Sequence, residues 1–500
     1  MRLSITCALA LALAAAPAMA QDKGGKDDKQ APAEKVVPQV HTTRLSGVFG
    51  GQKVNYGATI GETILSAEDG TQKAAIVTIA YVKEGRDPSR PVTFLFNGGP
   101  GSGTVWLQMG AFGPKRVAIP SDARDDGGPP YPLLDNPDSL LDVTDLVFID
   151  PPGTGFSRLI GKTDPKEFYG VTADAKSVAE VIRRWLNENG RWNSPKYLGG
   201  ESYGTTRSAA VVNQLEGSTY NDVGLNGIIL ISTVLDFAAG ADTPGNELSY
   251  ITNLPSMAAV ALYHGKAEAP SVEQFTQEAR AFAIGPYAAA LLKGQNLGAE
   301  ERASVRSRLA HFTGLSEAFL DRADLRVTPD RFWKELLRDR GLTVGRLDSR
   351  YTGKDYDSAG ENIDNDPSFY GIDAGYTAAV NAWERDGLGF KTDREYQSIS
   401  QLIPSWDWNL AGGRDTNAYL NVTPYIGRAL RENSGLRVFV GQGYYDFATP
   451  FFAAEYALSR TGIPQDRVEF HYYHAGHMMY VRDEDRAKLT RDIRQFIRSR

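Results

Sequence analysis

A serine lies at the centre of the pentapeptide Gly200-Glu201-Ser202-Tyr203-Gly204, which has the pattern Gly-x-Ser-x-Gly. This pattern is typical of a serine on a sharp turn between a strand and a helix, where the hydroxyl can attack an acyl carbon. An ordinary polar serine in a glycine-rich loop would have the same five residues. The choice depends on whether the chain also supplies a base, an acid that orients the base, and donors for an oxyanion.

The chain offers a base and an acid at suitable places. It has six histidines, and one of them, His477, follows the predicted strand 468–473. Asp446 lies in "GQGYYDFATP", directly after another predicted strand. The chain order Ser202, Asp446, His477 is the order found in α/β-hydrolases, and each of the three follows a predicted strand. The sequence therefore predicts a catalytic Ser-His-Asp triad.

A glycine-rich segment, "NGGPGSG" (97–103), follows a further predicted strand. Glycines let the backbone approach a substrate closely, so we expect the amides of Gly99 and Tyr203 to form the oxyanion hole. A tight turn or a phosphate-binding loop are the alternatives. The segment lacks the Lys-Ser/Thr ending of a phosphate-binding loop and the spacing of a dinucleotide fingerprint, which disfavours phosphate.

The surrounding pattern is that of an α/β protein. The apolar runs "VTFLFNGG", "DLVFID" and "GIILIS" end abruptly in polar loops, as buried parallel strands do. The alternating run "AAIVTIAYV" (74–82) has the pattern of an edge strand. A helix is predicted between the second apolar run and Ser202, capped by Thr172 and closed by Gly190. Its apolar face consists of Val178, Val181, Ile182, Trp185 and Leu186.

We expect an α/β-hydrolase fold with a mostly helical lid insertion. Residues 1–20 are predicted to be a signal peptide and residues 21–38 a disordered tether. The first part of the core is predicted at 39–234 and the second part at 396–500. The lid is predicted at 235–395, with Ser271 and Gln274 as a capping box and Thr328-Pro329 as another helix start.

The first twenty residues predict export. Arg2 precedes a short apolar run, and Ala18-Met19-Ala20 has the small-x-small pattern of a cleavage site. The single cysteine, Cys7, lies within this segment, so the mature chain has no disulfide and the bacterial periplasm is the expected location. A net charge of −7 without a basic run predicts neither nucleic-acid nor membrane partners. The sequence makes no prediction of oligomeric state.

The histidines near His477 predict neither a metal nor any other cofactor. His471, His474 and His477 are three residues apart, and on a strand such a step turns successive side chains to opposite faces. Three side chains so arranged do not converge on one metal ion. We interpret His471 and His474 as packing residues or as supports of the site.

Four motifs together resemble the serine carboxypeptidase family, in particular its cysteine-free bacterial members. The motifs "NGGPGSG", "IDPPGTGFS" (149–157), "GESYG" and "GHM" occur in this order and at suitable separations. The resemblance covers the predicted core, roughly 40–235 and 400–500, and is weaker in the insertion. It implies that the substrate is a peptide with a free C-terminus and that Ser202 is the nucleophile.

The resemblance also implies a site for the C-terminal carboxylate of that peptide. Asn97, the amide of Gly98 and the carboxyl of Glu201 match the positions that hold this carboxylate, and Met478 matches a residue on the leaving-group side. A protonated Glu201 can donate a hydrogen bond to a carboxylate, whereas an ionised one repels it. We therefore expect peptide hydrolysis to favour acid pH.

The chain departs from the family at two positions near this site. Leu95 stands where the better-known members have tryptophan, and Ala111 stands where they have a second glutamate that shares a proton with the first. Without that partner, Glu201 should lose one cause of a raised pKa. Gln108 is close enough in sequence to serve Glu201 as a donor instead.

Two other functions fit the same residues. An esterase or acyltransferase would use the same triad, and the residues Leu95 and Ala111 favour it. A binding protein that has lost turnover is the other alternative, which the complete set of triad and oxyanion residues disfavours.

Overall fold

The computed structural model describes residues 35–85, 87–217, 221–240, 242–410 and 419–499. The predicted signal peptide and most of the predicted tether lie outside these residues. The described part from Val36 onward belongs to one compact unit. Its centre is a ten-stranded mixed sheet, with helices on both faces.

The strands are numbered in chain order. They are β1 Val40–Phe49, β2 Gln52–Ser66, β3 Gln72–Lys83, β4 Val92–Phe96, β5 Lys115–Val117, β6 Leu133–Asp135, β7 Asp145–Ile149, β8 Arg158–Leu159, β9 Lys196–Ser202, β10 Gly227–Thr233, β11 Thr343–Val344, β12 Thr352–Gly353, β13 Arg437–Gly443 and β14 Val468–Tyr473. The main sheet has the order β1-β2-β3-β7-β4-β9-β10-β13-β14, and β8 pairs with β3. Strands β7, β4, β9, β10, β13 and β14 run parallel to their neighbours within that group.

The α-helices are likewise numbered in chain order. They are α1 Val171–Glu188, α2 Tyr203–Leu215, α3 Glu247–Tyr263, α4 Val272–Phe282, α5 Ala288–Lys293, α6 Ala299–Thr313, α7 Glu317–Arg322, α8 Pro329–Glu335, α9 Pro367–Tyr370, α10 Asp373–Asn381, α11 Thr423–Glu432, α12 Phe451–Leu458 and α13 Asp483–Arg498. None of the helices in the described residues is long and apolar enough to cross a bilayer.

The predicted buried strands are confirmed. Strands β4, β7 and β10 are buried along their whole length, because helices cover both faces of the parallel part of the sheet. The edge-strand prediction for 74–82 is wrong. Strand β3 lies between β2 and β7, antiparallel to both, and its central residues are buried on both faces.

The predicted apolar face of α1 and two predicted helix starts are confirmed, but the predicted N-cap of α1 is wrong. The predicted apolar residues of α1 are all buried. Its N-cap is Gly170, however, so Thr172 lies inside the first turn and the predicted cap is wrong. Ser271 caps α4 by accepting a hydrogen bond from the amide of Gln274, and Thr328 precedes α8 with proline at its first position, both as predicted.

The mostly helical segment between β10 and β13 leaves the sheet uninterrupted, since these two strands pair directly. It contains α3 to α11. Helices α3 to α8 form an apolar core of their own, whereas α10 packs into the main core. The core of α3 to α8 includes Tyr444, Tyr445 and Phe447 from the loop after β13, which joins the insertion to the loops at the carboxyl ends of the parallel strands.

Candidate active site

Ser202 occupies a strained turn between β9 and α2. Its backbone has φ 61° and ψ −131°, a conformation that side-chain-bearing residues rarely adopt. Such a conformation costs about 1–3 kcal/mol and persists only where the surroundings enforce it. The helix begins at the next residue, Tyr203, so Ser202 stands at the end of the strand and at the start of the helix.

The glycines of the pentapeptide are required by close backbone approaches. A methyl group built on Gly200 would collide with the carbonyl of Gly204, and one built on Gly204 would lie 2.9 Å from the carbonyl oxygen of Phe96. Gly98 faces the same turn, since a methyl group there would lie 2.5 Å from the amide nitrogen of Tyr203. The glycine-rich loop after β4 is therefore in contact with the turn that carries Ser202.

Asp446 and His477 form a buried hydrogen-bonded pair. Oδ2 of Asp446 lies 2.8 Å from Nδ1 of His477. The other oxygen, Oδ1, accepts from the amides of Ala448 and Thr449 at 2.7 and 3.0 Å. The Thr449 hydroxyl also donates to Oδ2 at 2.7 Å. These donors hold the carboxylate in the position that orients the imidazole.

The backbone of His477 is held on both sides. Its amide donates to the carbonyl of Leu347 at 2.6 Å, and its carbonyl accepts from the hydroxyl of Ser232 at 2.5 Å. Ser232 itself has a positive φ of 50° at an irregularity of β10, and the next residue, Thr233, pairs with Ser202. Ser202 thus ends β9, and Asp446 and His477 lie in the loops after β13 and β14, at the carboxyl edge of the parallel strands.

Burial lowers the pKa of His477, but the charge and hydrogen bond of Asp446, with a smaller contribution from Glu201, raise it above its ordinary value. Both carboxylates favour the imidazolium form. The base is therefore strengthened by its neighbours, and its neutral form requires a somewhat higher pH than a free imidazole does.

Residues 397–400 form backbone hydrogen bonds with the glycine-rich loop 97–103. The amide of Ser400 donates to the carbonyl of Gly101 at 2.7 Å, and the amide of Gly103 donates to the carbonyl of Ser398 at 3.0 Å. A methyl group on Gly101 would collide with the Ser400 carbonyl, and φ at Gly101 is 106°, so this position requires glycine. The same segment pairs with Gly155 through Gln397, which ties the second predicted motif to the first.

Glu201 is a buried carboxyl next to the nucleophile, only 3% exposed. Its Oε2 accepts a hydrogen bond from the hydroxyl of Tyr480 at 2.7 Å. Burial raises the pKa of Glu201 to about 7, against the opposing effects of His477 and of hydrogen bonds from Tyr480 and Asn97. Oδ1 of Asn97 accepts from the amide of Leu107 at 3.1 Å, which leaves the Asn97 amide group to Glu201.

The proposed donor role of Gln108 is wrong. Its amide group donates to the hydroxyl of Tyr81 at 3.0 Å, and Tyr480 is the hydroxyl that contacts Glu201. Leu95 and Ala111 are both buried in the apolar core. Met478 directly follows His477 and packs into the same core cluster at 7% exposure.

A buried ion pair supports both sides of the site. Nε of Arg207, on α2, lies 2.7 Å from Oδ2 of Asp174, on α1, and both side chains are 1% exposed. Arg207 also donates to the backbone carbonyl of Asn97 and lies over the rings of Phe96 and Tyr203. The guanidinium therefore joins the glycine-rich loop to the residue that follows Ser202.

Replacing Asp174 with alanine is expected to lower the free energy of unfolding by about 3–5 kcal/mol, because it leaves a buried guanidinium without its counter-charge. Urea denaturation of both proteins measures this loss. Glu180→Ala is the matched control on the same helix, since the Glu180–Arg184 pair is 42% and 39% exposed. It should cost less than about 0.5 kcal/mol. Equal losses in the two variants would contradict the supporting role of the buried pair.

The other predicted histidines lie apart from the site. His471 stacks on Phe439, with ring centroids 4.5 Å apart, and its Nδ1 lies 3.3 Å from Asp492. His474 pairs with Glu273 at 3.1 Å. Among the described residues, no group of three or more His, Cys, Asp or Glu side chains is placed to hold a metal ion.

Sequence reasoning missed several residues that shape the site. These residues are Ser232, Leu347, Thr449, Tyr480 and the pair Asp174–Arg207. Only Thr449 had a local signal, because it lies three residues after Asp446, where an aspartate commonly accepts from a nearby hydroxyl or amide.

The mixed sheet, the strand-to-helix turn at Ser202 and the loops at the ends of the parallel strands define an α/β-hydrolase. The family model described as serine carboxypeptidase matches residues 80–279. Over these residues the chain is similar to serine carboxypeptidases, which are serine-type carboxypeptidase hydrolases. No curated protein sequence matches the chain significantly.

The chain is similar to several solved structures at low identity. The prohormone-processing carboxypeptidase Kex1Δp of Saccharomyces cerevisiae is 16% identical, with a TM-score of 0.52 over 88% of this chain and 90% of that chain. A haloalkane dehalogenase variant from Bradyrhizobium elkanii is 13% identical, with a TM-score of 0.34 over 91% and 97%. Juvenile hormone epoxide hydrolase of the silkworm Bombyx mori is 12% identical, with a TM-score of 0.35 over 89% and 78%.

Proposed function

We propose that the protein is an exported serine carboxypeptidase that removes C-terminal residues from peptides through Ser202, His477 and Asp446. The observation that carries the proposal is the combination at one sheet edge of the strained serine, the Asp446–His477 pair and the buried carboxyl of Glu201. Export to the periplasm rests on the sequence of residues 1–20.

In the acylation step, neutral His477 takes the proton of the Ser202 hydroxyl as its oxygen attacks the scissile carbonyl carbon. The negative charge then forms on the carbonyl oxygen, where the amides of Gly99 and Tyr203 are the proposed donors. Imidazolium gives its proton to the leaving amine, the C–N bond breaks, and an acyl-enzyme on Ser202 remains. Asp446 stabilises the imidazolium throughout and keeps the ring oriented.

Deacylation repeats the same steps with water as the nucleophile. His477 takes a proton from water, the hydroxide attacks the ester carbon, and the proton returns to the Ser202 oxygen as the acyl group leaves as an acid. The enzyme is restored with no net change in its protons, and no group outside the triad and the oxyanion donors is required.

Selection of the chain end follows from the groups beside Ser202. The C-terminal carboxylate of the peptide would accept from the protonated carboxyl of Glu201, from the Gly98 amide and from Asn97. The carboxyl keeps its proton below about pH 7, because burial disfavours its charged form and raises the pKa of Glu201 to about 7. Met478 lies beside His477, on the side where the departing residue would be held.

The insertion is proposed to act as a lid at 235–395. Residues 346–349 lie against the loop that carries Asp446. The backbone carbonyl of Arg346 accepts from the amide of Phe447, and the amide of Ser349 donates to the carbonyl of Tyr445. Such a cover admits a flexible chain end more readily than an internal segment of a folded protein.

The test compares one blocked dipeptide with a free C-terminus and the same dipeptide amidated at that end. The free peptide is expected to be cleaved with a kcat/KM at least about 100-fold higher, since a site with buried donors strongly rejects a ligand that leaves them unpaired. Equal cleavage of the two would contradict carboxypeptidase specificity. A fluorophosphonate that fails to label the protein would contradict enzymatic turnover altogether.

Hydrolysis of esters without a free carboxylate is the second candidate function. The observation that favours it is the alanine at position 111, which leaves Glu201 as the single glutamate beside the nucleophile. A short-chain ester cleaved far better than any peptide with a free C-terminus would support this alternative.

A further inference from the structure

The carboxyl of Glu201 is faced by groups from several elements. His477 and Tyr480 come from the segment after β14, Asp446 from the loop after β13 and Tyr376 from α10. Of these groups, Tyr480 donates a hydrogen bond to Glu201, with Oη 2.7 Å from Oε2. The charge of Glu201 contributes to raising the pKa of Tyr376, and no hydrogen bond joins the two side chains among the described contacts.

Tyr480 lies next to the place where the resembled family has its second glutamate. A methyl group built on Gly110 would collide with the hydroxyl of Tyr376 and lie 2.6 and 2.8 Å from two ring carbons of Tyr480. The neighbouring residue, Ala111, is fully buried. Small residues at this turn therefore make room for two aromatic rings, one of which brings a hydroxyl to Glu201.

We propose that Tyr480 is a positioning residue for recognition of the substrate carboxylate, holding the Glu201 carboxyl in place where the family uses a second glutamate. In this arrangement Glu201 is the single proton-carrying group that contacts the carboxylate. The inference rests on the proposed carboxypeptidase function, and it assigns the role to a residue outside the triad and outside the carboxylate-contacting positions.

A phenol and a second glutamate affect the titration of Glu201 differently. Burial raises the pKa of Tyr480 well above its ordinary value, so the hydroxyl keeps its proton and always acts as a donor. Two neighbouring carboxyls would share a proton and titrate together. With Tyr480 in place, one carboxyl loses one proton, and the donated hydrogen bond favours the ionised form of Glu201.

The first measurement is the pKa of Glu201 in the full chain, by infrared difference titration of its carboxyl band. The band is assigned by its loss in Glu201→Gln. Tyr480→Phe removes the hydrogen bond to the ionised form, so the pKa of Glu201 should rise by about one unit. The fall of peptide kcat/KM with pH should move upward by the same amount, and KM for the peptide should rise several-fold with little change in kcat.

Tyr376→Phe is the matched control, because it removes a hydroxyl from the neighbouring ring that forms no hydrogen bond to Glu201 in the described contacts. It should leave the Glu201 titration unchanged. Incorporating 3-fluorotyrosine at position 480 gives a stronger donor and should shift the pKa of Glu201 in the opposite direction, downward. Because 3-fluorotyrosine retains the ring and the hydroxyl, it tests the proposal even if the Tyr480→Phe protein does not fold.

An unchanged Glu201 titration in Tyr480→Phe, or equal shifts in Tyr480→Phe and Tyr376→Phe, would overturn the proposal. A shift of the predicted sign in both probes supports it. If the wild-type protein releases no C-terminal residue at any pH, the proposed function fails. The infrared titration then still decides whether Tyr480 controls Glu201, so the two failures are distinguishable.

Discussion

Replacing Ser202 with alanine is expected to lower peptide turnover by about four to six orders of magnitude and to abolish labelling by a fluorophosphonate. The hydroxyl is the atom that forms the acyl-enzyme, and alanine offers no nucleophile in its place. His477→Ala and Asp446→Asn should each lower kcat by several orders of magnitude. Their effects should not add, because the three groups act in the same proton transfer.

Single-turnover kinetics and mass spectrometry of the labelled protein measure these losses. Ser177→Ala is a suitable control, since Ser177 is buried on α1 and donates to the carbonyl of Asp174, away from the nucleophile. It should keep both labelling and turnover. Unchanged labelling of the Ser202→Ala protein would show that another residue is the nucleophile, and a loss of fold in that variant would be visible in its circular dichroism.

Glu201→Gln is expected to remove the alkaline fall of peptide hydrolysis. Burial raises the pKa of Glu201 to about 7, so in the wild-type protein the donor to the substrate carboxylate is lost as pH rises through that value. At two pH units above the pKa, about one molecule in a hundred retains the proton, which predicts about a 100-fold fall in kcat/KM. Glutamine keeps an N–H donor that does not ionise, so its profile should stay level in this range.

The acid side of the profile depends on His477. The base must be neutral, so activity rises with pH through its pKa, and Glu201 contributes to raising that pKa. Glu201→Gln should therefore move the rising limb to lower pH, for peptides and for esters alike. The wild-type enzyme should show a bell-shaped profile on a peptide and only the rising limb on an ester.

The measurement is kcat/KM against pH for one peptide and one ester, in the wild type and in Glu201→Gln. Glu384→Gln is the matched control, because Glu384 is another fully buried glutamate with a pKa raised by burial, in a different part of the core. It should leave both limbs in place. Superimposable peptide profiles for the wild type and Glu201→Gln would show that Glu201 does not hold the carboxylate, and would favour the esterase alternative.

Much of the core follows from local patterns in the residues. Continuous apolar runs predict β4, β7 and β10, and helical spacing predicts the buried face of α1. The one strand misjudged was β3. An alternating run indicates one buried face, but burial of the second face depends on which helices and loops cover it, and that is decided by segments distant in the chain.

The residues alone also determine the main candidates of the site, because the turn at Ser202 needs glycines at fixed positions and a triad needs residues that follow strands. Only the tertiary structure decided what surrounds them. Tyr480 reaches Glu201 across 279 positions, and Ser232 reaches His477 across 245. Such contacts arise from the angles and distances at which separate elements pack. Local patterns in the sequence do not predict such long-range contacts. For this reason the sequence suggested Gln108 as the donor to Glu201, whereas the donor in the structure is Tyr480.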